Sequence, residues 1–255
     1  MPPPVWLRDI VSDLKAALQF STRLPMSGWL AGDRVDFARM AWAIPIAGAI
    51  VGLIGSLVYA LVRALGLAPV PSAALSLVAT MLTTGCLHED GLADAADGFG
   101  GGGSRDEKLE IMHDSRVGTY GTCALILSVL LRTSAIASIA TPALVTPALI
   151  AAHAASRATM PLSMWLVPPA RADGLSAAAG SVSLRSVGIA GALGLAALVL
   201  VFGITAGVVL TVLLLLVIGG MARLCIKQIG GQTGDVLGAL EQVSEIIILL
   251  AAAVR

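Results

Sequence analysis

The stretch SVGIAGALGLAALVLVFGITAGVVLTVLLLLVIGGMA, Ser186 to Ala222, runs for 37 residues without a charged side chain. One helix crosses a hydrocarbon core with about 20 apolar residues, so this run supplies two spans, joined near Gly203 to Gly207. Further charge-free runs lie upstream, 23 residues between Arg39 and Arg63 and 24 between Arg63 and His88. The whole chain agrees, with 57% hydrophobic and 13% charged residues in 255 and a mean hydropathy of +0.91. Soluble chains carry about 25% charged residues. The expected fold is all-α, a polytopic integral membrane bundle forming one domain over residues 1–255.

Spans are expected near 40–62, 71–87, 119–140, 146–167, 187–203 and 207–225, with a shorter seventh over 237–254. Pro45, Pro142, Pro147 and Pro161 fall within or beside them, where neighbouring helices satisfy the freed backbone groups. Pro2 to Pro4 and the charges of Arg8, Asp9, Asp13 and Lys15 argue against a cleavable signal. Leu7, Ile10, Val11, Leu14 and Leu18 instead recur at helical spacing, the pattern of a helix lying in the membrane interface. Cys86, Cys123 and Cys225 lack metal-ligand spacing and read as free thiols. A formal net charge of zero gives no basic surface for nucleic acid.

The distribution of Lys and Arg orients the chain. Arg8, Lys15, Arg23, Arg34 and Arg39 precede the first span, and Arg105, Lys108 and Arg116 follow the second. Arg171 and Arg185 follow the fourth, and Arg223 and Lys227 close the sixth. Those twelve share one face, against Arg63 and Arg255 on the other. The expectation is an inner bacterial membrane with the segments at 88–121 and 230–239 together on the cytoplasmic side.

The first of these segments concentrates the acids. Eight of the sixteen Asp and Glu residues lie between Glu89 and Asp114. Carboxylates beside a bilayer are costly unless something binds them. If residues 88 to 98 are helical, Asp90, Asp94 and Asp97 fall within about 60° of one another at roughly 100° per residue. Such a stripe repels itself unless a cation neutralises it, and hard oxygen ligands suit Mg²⁺. A solvated helix face is the plain alternative. Gly98 and Gly100 to Gly103 then allow backbone N–H groups to approach phosphate, or form a flexible loop.

Lys108 and Arg116 are placed to hold a polyphosphate, with Asp114 as a further metal oxygen, unless they line a surface helix. His88 is a candidate acid, base or phosphate donor. Arg157, inside an apolar helix, needs a partner in a site carboxylate, a substrate phosphate or a structural ion pair. Asp235, after Thr233 and Gly234, completes a metal shell, caps the following helix, or does both. Glu241 and Glu245 share a face of that helix and receive no role.

At these residues the sequence resembles the cobalamin synthase family, the adenosylcobinamide-GDP ribazoletransferases. The likeness rests on STRLP (21–25), HEDGLADAADG (88–98), LEIMHDSRVGTYG (109–121), Ser156-Arg157 and GGQTGDVLGA (230–239), in order over nearly the whole chain. His113 departs from the pattern, where the family more usually has a lysine or arginine. The resemblance implies a Mg²⁺-dependent membrane enzyme that joins adenosylcobinamide-GDP to α-ribazole, or its 5′-phosphate, and releases GMP. It further implies metal ligation by Glu89, Asp90, Asp94, Asp97, Asp114 and Asp235, and catalytic roles for Asp94 and His88. Substrate contacts fall to Arg23, Lys108, Ser115, Arg116, Ser156, Arg157, Thr233 and Gly234. Homo-oligomers or association with neighbouring pathway enzymes are compatible with it.

Two rivals remain. A CDP-alcohol phosphotransferase carries D-G-x₂-A-R, whereas Asp90-Gly91-Leu92-Ala93 is followed here by Asp94. A cation-coupled transporter would use the three aspartates as ion ligands, but the chain shows no paired broken helices of inverted repeats.

Overall fold

The computed structural model describes residues 5–25, 37–171 and 182–254, and its described regular elements are helical. In chain order they are α1 (Val5–Ser21), α2 (Phe37–Met40), a 3₁₀ turn (Ala41–Ala43), α3 (Ile44–Ala64), α4 (Pro69–Thr84), α5 (Leu87–Gly101) and α6 (Arg105–Ile111). There follow α7 (Thr119–Ile139), α8 (Pro142–Leu166), α9 (Leu184–Ile229) and α10 (Gly234–Ala253). Pro2 to Pro4, Arg34 and Arg255, used in the readings above, lie outside the described residues.

The opening stretch behaves as its composition requires. An unbroken α9 of 46 residues would be about 69 Å long at 1.5 Å per residue, twice a hydrocarbon core. It breaks at Gly203, whose φ of 78° and ψ of 167° suit glycine alone. A Cβ on Gly207 would lie 2.9 Å from the Cα of Val199, so the chain folds back on itself there. Among the described residues, four helical stretches are long and apolar enough to cross a membrane, or five if α4 and α5 form one broken span. α8, expected as a span, does not reach that apolarity; it carries His153 and Arg157 and is largely enclosed by protein.

α8 is the hub. It packs against α3, α9 and α10, while α10 also meets α5 and α7. Leu149, Ala151, Ala152 and Ala155 of α8 join Leu198, Leu210, Ile248 and Leu249 in the main apolar cluster. Small residues on the hub let backbones approach where no water drives association. α1 is docked through Asp13, which accepts from Arg39 Nε at 2.6 Å and Trp42 Nε1 at 3.0 Å. Its first half leaves Leu7, Ile10 and Val11 exposed, the apolar face the sequence placed at an interface.

One bend decides where the chemistry sits. α4 ends at Gly85 (φ 66°), and Cys86 is also left-handed (φ 59°), so α5 leaves at 89° to α4. A left-handed non-glycine residue costs of order 1–3 kcal/mol and is retained where surroundings enforce it. Here Arg23 packs over the Gly85 backbone, and its amide donates to Thr83 O at 2.7 Å.

Candidate active site

The acidic stripe is helical, as its spacing requires. α5 carries Asp90, Asp94 and Asp97 along one side, and α10 crosses it where two glycines meet. A Cβ on Gly91 would stand 3.0 Å from Asp235 O and 3.2 Å from Gly238 Cα. That contact brings Asp235, at the start of α10, to the stripe. Asp94 lies half-buried within electrostatic reach of Asp90, Asp97 and Asp235. Thr233 caps α10, accepting from Val236 N at 3.3 Å, and donates to Asp235 Oδ2 at 3.1 Å. Gly234 opens the helix beside it. Asp235 is the member of the stripe with a cation near it, Arg171 Nη2 at 3.6 Å.

The segment 230–235 is held beside the acidic one by Arg105. Its Nε donates to Ile229 O at 2.9 Å and its Nη2 to Ala170 O at 2.6 Å. A bridge between Pro169 and Gln232 ties the two connections together. The sequence expectation that these distant segments meet is thus met by backbone as well as side-chain contacts.

A second set of charges lies behind the stripe, inside the helix bundle. Arg132 of α7 and Arg157 of α8 are each 1% exposed. Arg157 Nη1 donates to Glu241 Oε1 at 2.6 Å, and Ser156 Oγ donates to the same oxygen at 2.9 Å. Arg132 Nη1 reaches Glu89 Oε1 at 3.0 Å and Glu245 Oε1 at 3.4 Å. His153 Nδ1 stands 3.2 Å from Glu245 Oε2. Three carboxylates therefore face two guanidiniums in a place where an unpaired charge is expensive.

His88 joins the two regions. Its ring is buried in the wall of the cavity by the stripe, while Arg157 Nη2 lies 3.3 Å from its Nδ1. Glu241 Oε2 lies 3.7 Å from the same nitrogen, so the ring stands between a guanidinium and a carboxylate.

Several residues stand elsewhere than the sequence suggested. Glu89, read as a metal ligand, faces the other way from Asp90 and is spent on Arg132. Lys108, read as a phosphate anchor, is buried; its Nζ donates to Phe99 O at 3.2 Å and Gly102 O at 2.5 Å, closing the C-terminus of α5. The glycine run is not a cradle, for α5 continues through Gly101, with Gly98 against Met112 and Gly100 against Tyr120. Asp114 is engaged by Arg116 Nη2 at 2.5 Å, and side-chain and backbone hydrogen bonds from Arg116 hold its carboxyl down at about 2. Asp97 accepts from Gly118 N at 2.7 Å and Gly121 N at 2.9 Å, anchoring the start of α7. A carboxylate has further lone pairs, so this anchoring leaves Asp97 able to serve the stripe. Arg116, Ser115 and Arg23 are exposed. Glu241, Glu245 and Arg132 received no role from sequence; an ionisable side chain in an apolar span was the available signal.

The donor set of the stripe suits a divalent ion. Asp90, Asp94, Asp97 and Asp235 offer only hard oxygen, as Mg²⁺ prefers. Among the described residues no side-chain cation pairs with Asp90 or Asp94, so a bound cation or a proton would relieve their mutual repulsion. His153, Glu241 and Glu245 also bring potential ligand atoms within 4.8 Å of one another. There, however, Arg132 and Arg157 already supply the positive charge.

Fold and site together define a multi-pass helical membrane protein whose aspartates, from two distant segments, converge on one cavity. The sequence model of the family described as Cobalamin-5-phosphate synthase matches residues 13–253. Proteins named adenosylcobinamide-GDP ribazoletransferase are similar over nearly full length. That of Bradyrhizobium diazoefficiens is 56% identical, covering 97% of this chain and 95% of its own. Those of Mesorhizobium japonicum (51%; 97% and 95%) and Azorhizobium caulinodans (46%; 94% and 95%) are close behind. No solved structure matches the chain. The chain belongs to the cobalamin-5-phosphate synthase family and is an enzyme, a transferase of cobalamin synthesis.

Proposed function

We propose that this transferase moves the phospho-adenosylcobinamide group from adenosylcobinamide-GDP to α-ribazole, or its 5′-phosphate, and releases GMP. The names of the relatives support the substrates. The observation that carries the chemistry is the meeting of Asp90 and Asp94 with Asp235 at the Gly91–Gly238 crossing. We place this site at the cytoplasmic face of the inner membrane, on the asymmetry of Lys and Arg among the connections.

Asp90, Asp94, Asp97 and Asp235 would hold Mg²⁺. When bound, that ion neutralises charge on a pyrophosphate and on the departing phosphate. A secondary ribose hydroxyl of the ribazole, free in both the nucleoside and its 5′-phosphate, forms a bond to the phosphorus on the cobinamide side, and the bond from that phosphorus to the bridging oxygen breaks, leaving with GMP. The hydroxyl proton passes to a carboxylate of the stripe. Asp94 is the natural acceptor, being half-buried and set among the other three. His88, in the cavity wall beside Asp90, donates to a phosphate oxygen. Arg116, with its side chain 88% exposed, and Arg23 at the α4–α5 bend meet the polyphosphate from solution. Ser156 and Arg157 act behind the site by orienting Glu241 and His88 rather than by touching substrate.

The test is GMP release by purified protein in detergent or nanodiscs, given adenosylcobinamide-GDP and α-ribazole. Release that requires both substrates and stops on chelation of divalent ions is expected. Release of CMP from CDP-diacylglycerol instead would replace this reading with that of a CDP-alcohol phosphotransferase.

A further inference from the structure

We propose that the cavity beside the aspartates seats the flat, apolar base of the ribazole; this rests on the function proposed above and assigns that substrate its place. The cavity measures about 160 Å³. Its wall is built from Phe20, Phe37, Leu87, Met160, Met164 and Leu237, drawn from α1, α2, α5, α8 and α10. The rings of Phe20 and Phe37 meet edge to face with centroids 4.7 Å apart. Met160 and Met164 stand one turn apart on α8, and methionine adapts well to an aromatic guest. Asp90 and Asp235 share the lining, so whatever enters the apolar part lies next to the reacting centre.

Size, polarity and reach then select the guest. An apolar cavity of about 150 Å³ takes a benzene-sized ring, which excludes a corrin macrocycle. The adenine on the cobalt sits across that macrocycle, too remote from the reacting phosphorus. Two bases come within reach of the reacting atoms, the dimethylbenzimidazole of ribazole one ribose away and guanine one ribose and one phosphate away. Guanine carries donors and acceptors around its edge, and burying them unpaired is costly. Of the polar side chains in the lining, Asp235 already faces Thr233 and Arg171, and His88 Nδ1 faces Arg157 and Glu241. Dimethylbenzimidazole carries a single acceptor, the ring nitrogen not bonded to ribose, and its methylated benzo ring gains from burial against methionine and phenylalanine. Seating the base here puts its ribose, and hence the attacking secondary hydroxyl, on the aspartate side.

Met164→Phe fills the cavity and Met164→Ala enlarges it. For Met164→Phe, KM for α-ribazole should rise about 10- to 200-fold, the range for a small size change in an apolar pocket. KM for adenosylcobinamide-GDP and inhibition by GMP should stay within about twofold of wild type. Met164→Ala should accept a ribazole analogue with a bulkier fused ring better than wild type does. This second variant carries the test if thermal unfolding shows Met164→Phe misfolded. The proposal is overturned if Met164→Phe weakens GMP instead, which would seat guanine here, or if neither KM moves. Should wild-type protein release no GMP from the two substrates, the proposed reaction falls. Fluorescence titration of 5,6-dimethylbenzimidazole into wild type and Met164→Phe then decides the cavity by itself, retained affinity in the variant counting against it.

Discussion

Two acidic regions face opposite sides of α5 and are neutralised in opposite ways. Glu89, Glu241 and Glu245 lie in the interior, where Arg132 and Arg157 meet them directly. Asp90 and Asp94, one and five residues further along, have no such partner among the described residues, and Asp90 borders a cavity that Asp235 also lines. A carboxylate answered by an arginine of its own chain is structure. One beside other carboxylates is free to take a cation or a proton. Adjacent residues of one helix, Glu89 and Asp90, thus fall into different chemistry because a helix turns by about 100° per residue.

Removing a charge from the stripe should stop the reaction without harming the fold. Asp94→Asn is expected to lower GMP release by about 10³-fold or more, the upper range for losing one charge-stabilising group, at unchanged thermal midpoint. Residual activity near wild type in saturating Mg²⁺ would remove Asp94 from the centre.

The interior should respond the other way. Arg157→Met leaves Glu241 buried and unpaired, a loss of about 3–5 kcal/mol, seen as a lower midpoint and poor yield. Combining it with Glu241→Leu should recover much of that stability. Failure to recover would mean that the pair does more than balance charge.

Gly91→Ala tests the crossing that joins the two segments. Its Cβ would push on Asp235 O and Gly238 Cα, for an overpacking cost of about 1–3 kcal/mol. A weakened response to Mg²⁺ should accompany it, since Asp235 moves. The smallest effect is expected at the exposed rim. Arg116→Ala should leave the thermal midpoint unchanged and raise KM for adenosylcobinamide-GDP about tenfold, the worth of one charge-assisted hydrogen bond.

The sequence made some of this legible because the governing interactions are local. A 37-residue uncharged run cannot be one span, and Gly203 and Gly207, near its middle, offered a break that leaves two spans of suitable length. Period and spacing placed the three aspartates on one stripe, whereas the cap expected of Asp235 is supplied by Thr233, two residues earlier, with Asp235 already in the first turn. Partners distant along the chain were not legible. Arg132 finds Glu89 43 residues away and Arg157 finds Glu241 84 residues away, through helix packing that no spacing encodes. Lys108 was misread for a related reason: its long side chain turns back to carbonyls of the preceding helix instead of reaching outward. The glycines after Asp97 looked like a loop by composition, yet Met112 and Tyr120 need the space that their missing side chains leave.

The most direct measurement is Mn²⁺ binding, followed by electron paramagnetic resonance, to wild type, Asp94→Asn, Asp235→Asn and Glu241→Gln in nanodiscs. The account predicts that Asp94→Asn and Asp235→Asn, from segments far apart in sequence, each abolish the same bound signal while Glu241→Gln keeps it. Undiminished binding in Asp235→Asn, or its loss only in Glu241→Gln, would contradict the claim that α5 and α10 share one ion.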